Sequence, residues 1–356
     1  MHTGAAVVRE EILRWLREDD PAQLDVLYRR ADRIRNGHVG DEVHLRGLIE
    51  ISNHCVRQCA YCGINAGNRS LVRYRMTQAE ILECARTAKG LGYGTVVLQA
   101  GEDYGITGEW LAQVVRQIKS EADLAVTLSM GERPDTDLEL WRRAGADRYL
   151  LRFETSDPVL FERIHPPHGT RTGRSRIEIL RRLQALGYEA GSGVMVGIPG
   201  QSYDSLARDI ELFRELDLDM IGIGPYIPHP STRLASGRLS PGLPPSEQVP
   251  NTEEMVYKSV ALARLACPQA NIPSTSALAT INLERGRELG LQRGANVVMP
   301  NLTPPRYRHH YEIYPNKACI GETPADCSHC LRNRIRSLGR RVGAGHGGRV
   351  RSGATR

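Results

Sequence analysis

Eight short runs of β-branched and apolar residues after residue 45, alternating with amphipathic helical stretches, predict a closed (β/α)8 barrel of the TIM type in this 356-residue chain. Strands separated by single helices must run parallel, and eight such units close most readily into a ring. A second observation agrees: the run ends are unusually polar, as expected where strands open onto a barrel's active-site mouth. An open, doubly wound sheet is the alternative for the same alternation.

The elements follow in order. Val8, Ile12, Trp15 and Leu16, then Leu24, Leu27, Ala31 and Ile34, fall at helical spacing, so residues 1–44 are expected as helices capping the barrel. The strands are expected at GLIEIS (47–52), TVVLQA (95–100), LAVTLSM (124–130), RYLLRFE (148–154), GSGVMVG (191–197), MIGIGPYI (220–227), NIPSTSA (271–277) and ANVVMP (295–300). Helix starts are signalled by Thr77 with Glu80 three residues on, by Pro134, by Asp157-Pro158 and by Ser202 before a pattern running to Leu216. Glycines in AKGLGYG, RRAGAD, ALGYEAG and QRGANV mark helix ends. The barrel is thus expected over 45–312, followed by a cysteine-containing extension (313–335) and a basic, solvated tail (336–356).

No apolar run approaches the length of about 18 residues that a membrane span needs. Charges scattered through AAVVREEILRWLREDD argue against a signal peptide, so a cytoplasmic protein without a membrane partner is expected. The net charge of +6 is concentrated in the Gly/Arg-rich run LRNRIRSLGRRVGAGHGGRVRSGATR. No Tyr or Phe is interleaved there to stack on bases, so nucleic acid is not an expected partner.

The eight cysteines are distributed unevenly. Cys84 and Cys267 lie alone in helical patterns and read as small core residues. Cys55, Cys59 and Cys62 stand within ISNHCVRQCAYCGINAG (51–67), directly after the first strand and therefore at the barrel mouth. The spacing C-x3-C-x2-C suits a 4Fe-4S cubane with three corners held and the fourth iron open. Zinc with His54 as fourth ligand, or a C-x-x-C redox pair, remain the alternatives. Cys319, Cys327 and Cys330 (C-x7-C-x2-C) form a second trio after the last strand, readable as a 2Fe-2S or 4Fe-4S site or as zinc with His329. A nucleic-acid-binding zinc protein would use both trios as zinc sites, but would leave the polar rim without a purpose.

The first trio, with aromatic Tyr61 before its last cysteine, resembles the signature of the radical S-adenosylmethionine (SAM) enzymes. VLQAGED (97–103), LSMGERP (128–134), AGADRYLLRFET (144–155), VGIPGQ (196–201), DMIGIGPYIPHP (219–230) and GANVVMPN (294–301) resemble the HydE family of FeFe-hydrogenase maturases, grouped with biotin and methylornithine synthases. The resemblance implies a 4Fe-4S cluster on Cys55, Cys59 and Cys62, whose open iron chelates SAM and whose electron cleaves it to a 5'-deoxyadenosyl radical. It implies cofactor contacts from Tyr61, Ser129, Glu154, Arg176 and Met195, with Arg176 on the SAM carboxylate and Glu154 on its ribose or amine. Gln99, Gly101 and Glu102 occupy the place of a Gly-Gly-Glu motif, with Ala100 where Ser or Gly is usual. Arg152, Thr127, Thr275, Ser276, Met299 and Tyr311 correspond to the substrate cavity, although Met195 and Met299 taken singly read as core filler.

The same resemblance implies an accessory iron–sulfur site on Cys319, Cys327 and Cys330. The implied reaction acts on a cysteine-bound Fe(CO)2(CN) complex from HydG, toward the diiron subcluster of the H-cluster completed with HydF. An electron donor such as ferredoxin or flavodoxin and anaerobic conditions are implied as well. The alternative substrate is a small amino acid or thiol, as for methylornithine synthase-like or biotin synthase-like enzymes.

Overall fold

The structure, a computed structural model, describes residues 7–166, 173–237 and 242–350. The lead folds into α1 (Arg9–Arg17) and α2 (Pro21–Val39), burying Ile12, Trp15 and Leu16 on one and Leu24, Leu27 and Ala31 on the other. Asp20 accepts the Ala22 N–H to start α2, and Pro21 occupies a first-turn position that has no intrahelical donor to lose. Val8, expected in the buried stripe, is the exposed N-cap of α1 instead.

The repeating units follow. They are β1 (Glu42–Ser52), α3 (Gln78–Gly90), β2 (Thr95–Ala100), α4 (Gly108–Ala122), β3 (Ala125–Ser129), α5 (Asp135–Arg143) and β4 (Arg148–Leu150). Beyond β4 come α6 (Pro158–Ile164), α7 (Arg176–Ala185), β5 (Glu189–Val196), α8 (Tyr203–Glu215), β6 (Met220–Pro225) and α9 (Glu253–Ala266). The chain continues through α10 (Ser276–Ile281), α11 (Gly286–Gln292), β7 (Val297–Val298), α12 (Pro305–Arg308), α13 (Pro324–Ser337) and β8 (Arg341–Val342). Thr77 and Ser175 each form a reciprocal capping box with the Glu three residues on, which satisfies two otherwise orphaned donors.

The strands lie in the order β6-β5-β4-β3-β2-β1-β7, and every pairing is parallel. Residues 271–277 do not form the expected seventh strand. They close the ring through single parallel bridges, Asn271 to Met220 and Pro273 to Val297. Backbone bonds seal both flanks, with Ile221 N donating to Asn271 O (3.0 Å) and Ser274 N to Val297 O (2.9 Å). Pro273 has no N–H to extend a ladder, and α10 begins three residues later.

Strand alternation assigns the faces. Ile49, Ile51, Leu98, Val126, Leu128 and Met130 join the core between sheet and helices, so Glu50, Gln99, Thr127 and Ser129 lie on the inner face. Glu50 pairs with Gln99 in register, and Gln99 with Ser129, giving one polar row across the mouth.

The opposite end of the barrel overturns an expectation. The basic tail does not dissolve into solvent over its described part: β8 pairs with Glu42 and Val43, and residues 343–349 cross the N-terminal ends of the strands. Arg148 donates to His346 O (2.9 Å) and Arg46 to Gly347 O (2.9 Å), while Arg349 anchors on Asp217 (2.6 Å). The physical reason is twofold. The arginines on the barrel floor need acceptors once buried. Glycine lets the backbones meet, since a Cβ on Gly94 would come within 1.7 Å of Gly345 O. Residues 351–356 of that tail lie outside the described residues.

Candidate active site

β1 ends at Ser52, and the chain turns at once into the cysteine loop. The loop is pinned by its backbone: Val56 N donates to Glu102 O (2.9 Å), Ala60 N to Ile164 O (2.8 Å) and Gly63 N to Ile313 O (3.0 Å). Arg73 closes its far side by donating to the carbonyls of Asn53, Ile64, Asn65 and Asn68. Gly101 permits the closest approach, because a Cβ there would lie 2.2 Å from His54 O and 2.8 Å from Cys55 Cβ. Cys55, Cys59 and Cys62 are free and half-buried at the carboxyl edge of the sheet. Burial pushes the Cys59 thiol up to about 12 and Cys62 well above its ordinary value, and the nearby thiols reinforce one another. Such a trio becomes thiolate when a cation is present to hold it.

Beside the loop stand alternating charges. Arg57, between Cys55 and Cys59, donates to Glu102 Oε1 and Glu132 Oε2, both at 2.7 Å. The other oxygen of Glu132 accepts from Arg176 Nε (3.0 Å), and Arg176 Nη1 donates to Arg152 O (2.6 Å). Arg152 and Glu154 form a two-pronged pair at 3.0 and 2.9 Å. Glu154 is buried and held at φ 63°, a left-handed conformation that non-glycine residues adopt at a cost and that recurs at functional sites.

A separate apolar cluster takes in the loop's own Ala60. Met195 packs there with Ala60, Leu160, Ile164, Ile198, Tyr226 and Leu234, and Tyr61 lies against it. Tyr61 and His165 share a hydrogen bond of 2.9 Å between Oη and Nε2, with their rings edge-on. The mouth therefore joins a wall of alternating charge to an apolar slot.

The sequence-predicted residues are distributed unevenly around this centre. Gly101, Glu102, Glu154, Arg176, Arg152, Met195 and Tyr61 fall into the connected arrangement just described. Gln99 and Ser129 sit half-buried on the inner rim, and Gln99 donates to the Tyr311 hydroxyl (3.2 Å). Thr275 precedes α10 without capping it, its hydroxyl donating instead to Ile223 O (3.3 Å), and half-buried Ser276 starts that helix. Met299 follows β7 directly and is half-buried. Thr127 lies lower on the inner wall, its buried hydroxyl without a hydrogen-bond partner.

Sequence reasoning passed over several residues. Glu132 and Arg57 complete the charged chain, while Lys317 and Glu50 form a buried pair at 2.5 Å, with Asn301 on the second Glu50 oxygen (3.0 Å). Arg57 stood inside the cysteine motif itself. The readable signal for Glu50 was a carboxylate flanked by Ile49 and Ile51.

In the C-terminal trio the structure brings together two cysteines of the three. The side-chain ligand atoms of Cys319, Cys327 and Glu322 lie within 4.8 Å of one another, while exposed Cys330 on α13 is outside that group. Hydrogen bonding with Cys327 holds the Cys319 thiol below its ordinary range, to about 6, and the Arg287 guanidinium 3.4 Å from its sulfur adds to the effect. Cys84 and Cys267 are buried, as expected.

Residues 49–233 match the Radical SAM superfamily model, and the chain belongs to that class of enzyme. It is 44% identical over 96% of its length to the [FeFe] hydrogenase maturase subunit HydE of Thermotoga maritima, covering 94% of that protein. Within the superfamily it belongs to the HydE family. It is also 30% identical to the 3-methylornithine synthase of Methanosarcina barkeri, over 79% of this chain and 75% of that protein. The crystal structure of methylornithine synthase (PylB) superimposes with a TM-score of 0.79 at 24% identity, covering 96% of this chain and 95% of that one, which supports the fold. The superfamily implies a 4Fe-4S cluster and SAM, and three half-buried thiols on one pinned loop, with no Cβ on Gly101 to crowd them, fit three-cornered ligation.

Proposed function

We propose that this chain acts as a HydE-type maturase, working on a cysteine-bound Fe(CO)2(CN) complex supplied by HydG on the way to the diiron subcluster assembled with HydF. The observation that carries the reading is the cysteine loop seated at the barrel mouth beside the Arg57–Glu132–Arg176 chain, in a sequence 44% identical to a HydE. Bound to Cys55, Cys59 and Cys62, the cluster would supply the single electron, taken from a donor such as ferredoxin or flavodoxin, that turns SAM into a 5'-deoxyadenosyl radical.

This chain's own residues do the rest. Arg176 offers its guanidinium to the SAM carboxylate, and Glu154, held by Arg152, accepts from the ribose or amine. Ser129 and the Gln99–Glu102 loop line the same edge. Tyr61, fixed by His165, and Met195 provide the apolar wall for the adenine. Deeper in, Arg152, Thr127, Thr275, Ser276, Met299 and Tyr311 face the substrate, and a closed floor keeps out water that would compete for a radical. Cys319 and Cys327, with Cys330 drawn in from α13, would hold an accessory iron–sulfur centre with little part in the chemistry.

Anaerobic reconstitution tests the proposal. The loaded protein should form 5'-deoxyadenosine from SAM and reductant, and with the HydG product it should yield an adenosylated iron species. Formation of 3-methylornithine, with no reaction on the iron complex, would overturn it in favour of a methylornithine synthase-like enzyme.

A further inference from the structure

We propose that Arg57 is a positioning residue which locks the cysteine loop to the arginine expected to hold SAM, so that cluster and cofactor keep one separation. The inference rests on the radical SAM reading of the site and concerns a residue that reading leaves without a role.

The geometry is specific. Arg57 is the second residue after Cys55 and is buried, and its two ends reach different elements. Nε donates to Glu102, just beyond β2, and Nη2 to Glu132, just beyond β3. Glu102 also accepts from the Glu132 backbone N–H (3.0 Å) and from the Tyr104 hydroxyl (3.1 Å), so the two acidic residues cannot drift apart. Glu132 then turns its second oxygen to Arg176 at the first position of α7. The result is a buried row of alternating sign, Glu102–Arg57–Glu132–Arg176, that ties three βα loops to one helix.

A flat guanidinium suits this place because its donors diverge at fixed angles and can bridge two acceptors at once; an ammonium offers a single point of charge. Arg176, Glu132 and Cys59 line one small cavity together with Arg57. The aim of Arg176 therefore depends on Glu132, and the place of Glu132 depends on Arg57. A shift of the loop would be passed on to the cationic end of the SAM site.

The test uses the full chain, reconstituted anaerobically, as wild type, Arg57→Gln, Arg57→Lys, Glu132→Gln and the double variant Arg57→Gln/Glu132→Gln. Iron per chain, the dissociation constant for SAM, the electron paramagnetic resonance change of the reduced cluster on adding SAM, and KM against kcat for 5'-deoxyadenosine formation are read for each. Arg57→Gln should keep its iron but bind SAM about tenfold more weakly, with KM rising more than kcat falls. Arg57→Lys should recover part of the affinity, and the double variant should lose less than the sum of its single changes, as expected for residues acting in one chain. Iron-loaded Arg57→Gln with wild-type affinity and an unchanged spectral response to SAM would overturn the proposal. Where Arg57→Gln fails to fold or load iron, wild-type affinity in Arg57→Lys overturns it equally. A wild-type protein that loads no cluster would instead sink the radical SAM reading itself.

Discussion

Gly101 sets how near the cysteine loop can lie to the second strand, and no other residue type leaves that space open. A Gly101→Ala change would press a methyl group against His54 O and Cys55 Cβ, at 2.2 and 2.8 Å. Since backbone is among the clashing atoms, the loop must move. The expected outcome is a folded protein that reconstitutes with severalfold less iron, measured as iron per chain against wild type. The thiols themselves make metal loading depend on pH. Cys59 is raised to about 12 by burial, so ligation must expel protons, and cluster reconstitution should speed up as pH rises from 7 to 9. A rate flat across that window would show that the thiols are already ionised. At this scale the cysteines, Tyr61, Glu154 and Arg176 were legible in the sequence because motif spacing and strand ends mark them. Arg57 and Glu132 were not, because their meaning lies in whom they touch across 75 positions of sequence.

Among the elements, the connection from β4 to α6 is tied to α8 by a single buried carboxylate. Asp209 accepts from the Ser156 N–H and hydroxyl, both at 2.6 Å, yet burial outweighs those bonds and raises its carboxyl to about 7. A folded pKa above the unfolded one means that the native state holds its proton more tightly. The contribution is therefore full below about pH 4 and fades as pH rises toward 7. Between pH 5 and 8 the wild type should lose on the order of 2–3 kcal/mol relative to Asp209→Asn, which carries no titrating proton. Denaturant unfolding of the metal-free protein at the two pH values reads this difference. Six of the eight expected strands lie where periodicity put them, as does the short β7. The segment 271–277 is the exception, since its composition suits a strand but Pro273 interrupts the donor row and only the closing ring supplies neighbours on both sides.

For the whole molecule, the floor of the barrel is closed by the tail, which crosses Arg46 on β1, Thr95 on β2 and Arg148 on β4. Removing residues 343–356 would strip Arg46 and Arg148 of the His346 and Gly347 carbonyls. Two lost bonds to buried guanidinium groups are worth about 3 kcal/mol together, so this truncation should unfold several degrees lower while still loading its cluster at the mouth. An unchanged melting temperature would mean that solvent replaces those acceptors without cost. No helix among the described residues is long and apolar enough to cross a membrane. By itself the sequence determined the alternation of strand and helix, the parallel barrel and the place of the cysteine loop at its mouth, because periodicity, caps and motif spacing are local properties of the chain. Only the tertiary structure decided that the tail seals the floor, that Glu322 rather than Cys330 joins Cys319 and Cys327, and that Arg57 speaks to Arg176 through Glu132. Burial and charge pairing arise between residues far apart in sequence, and they exist only once the ring has closed.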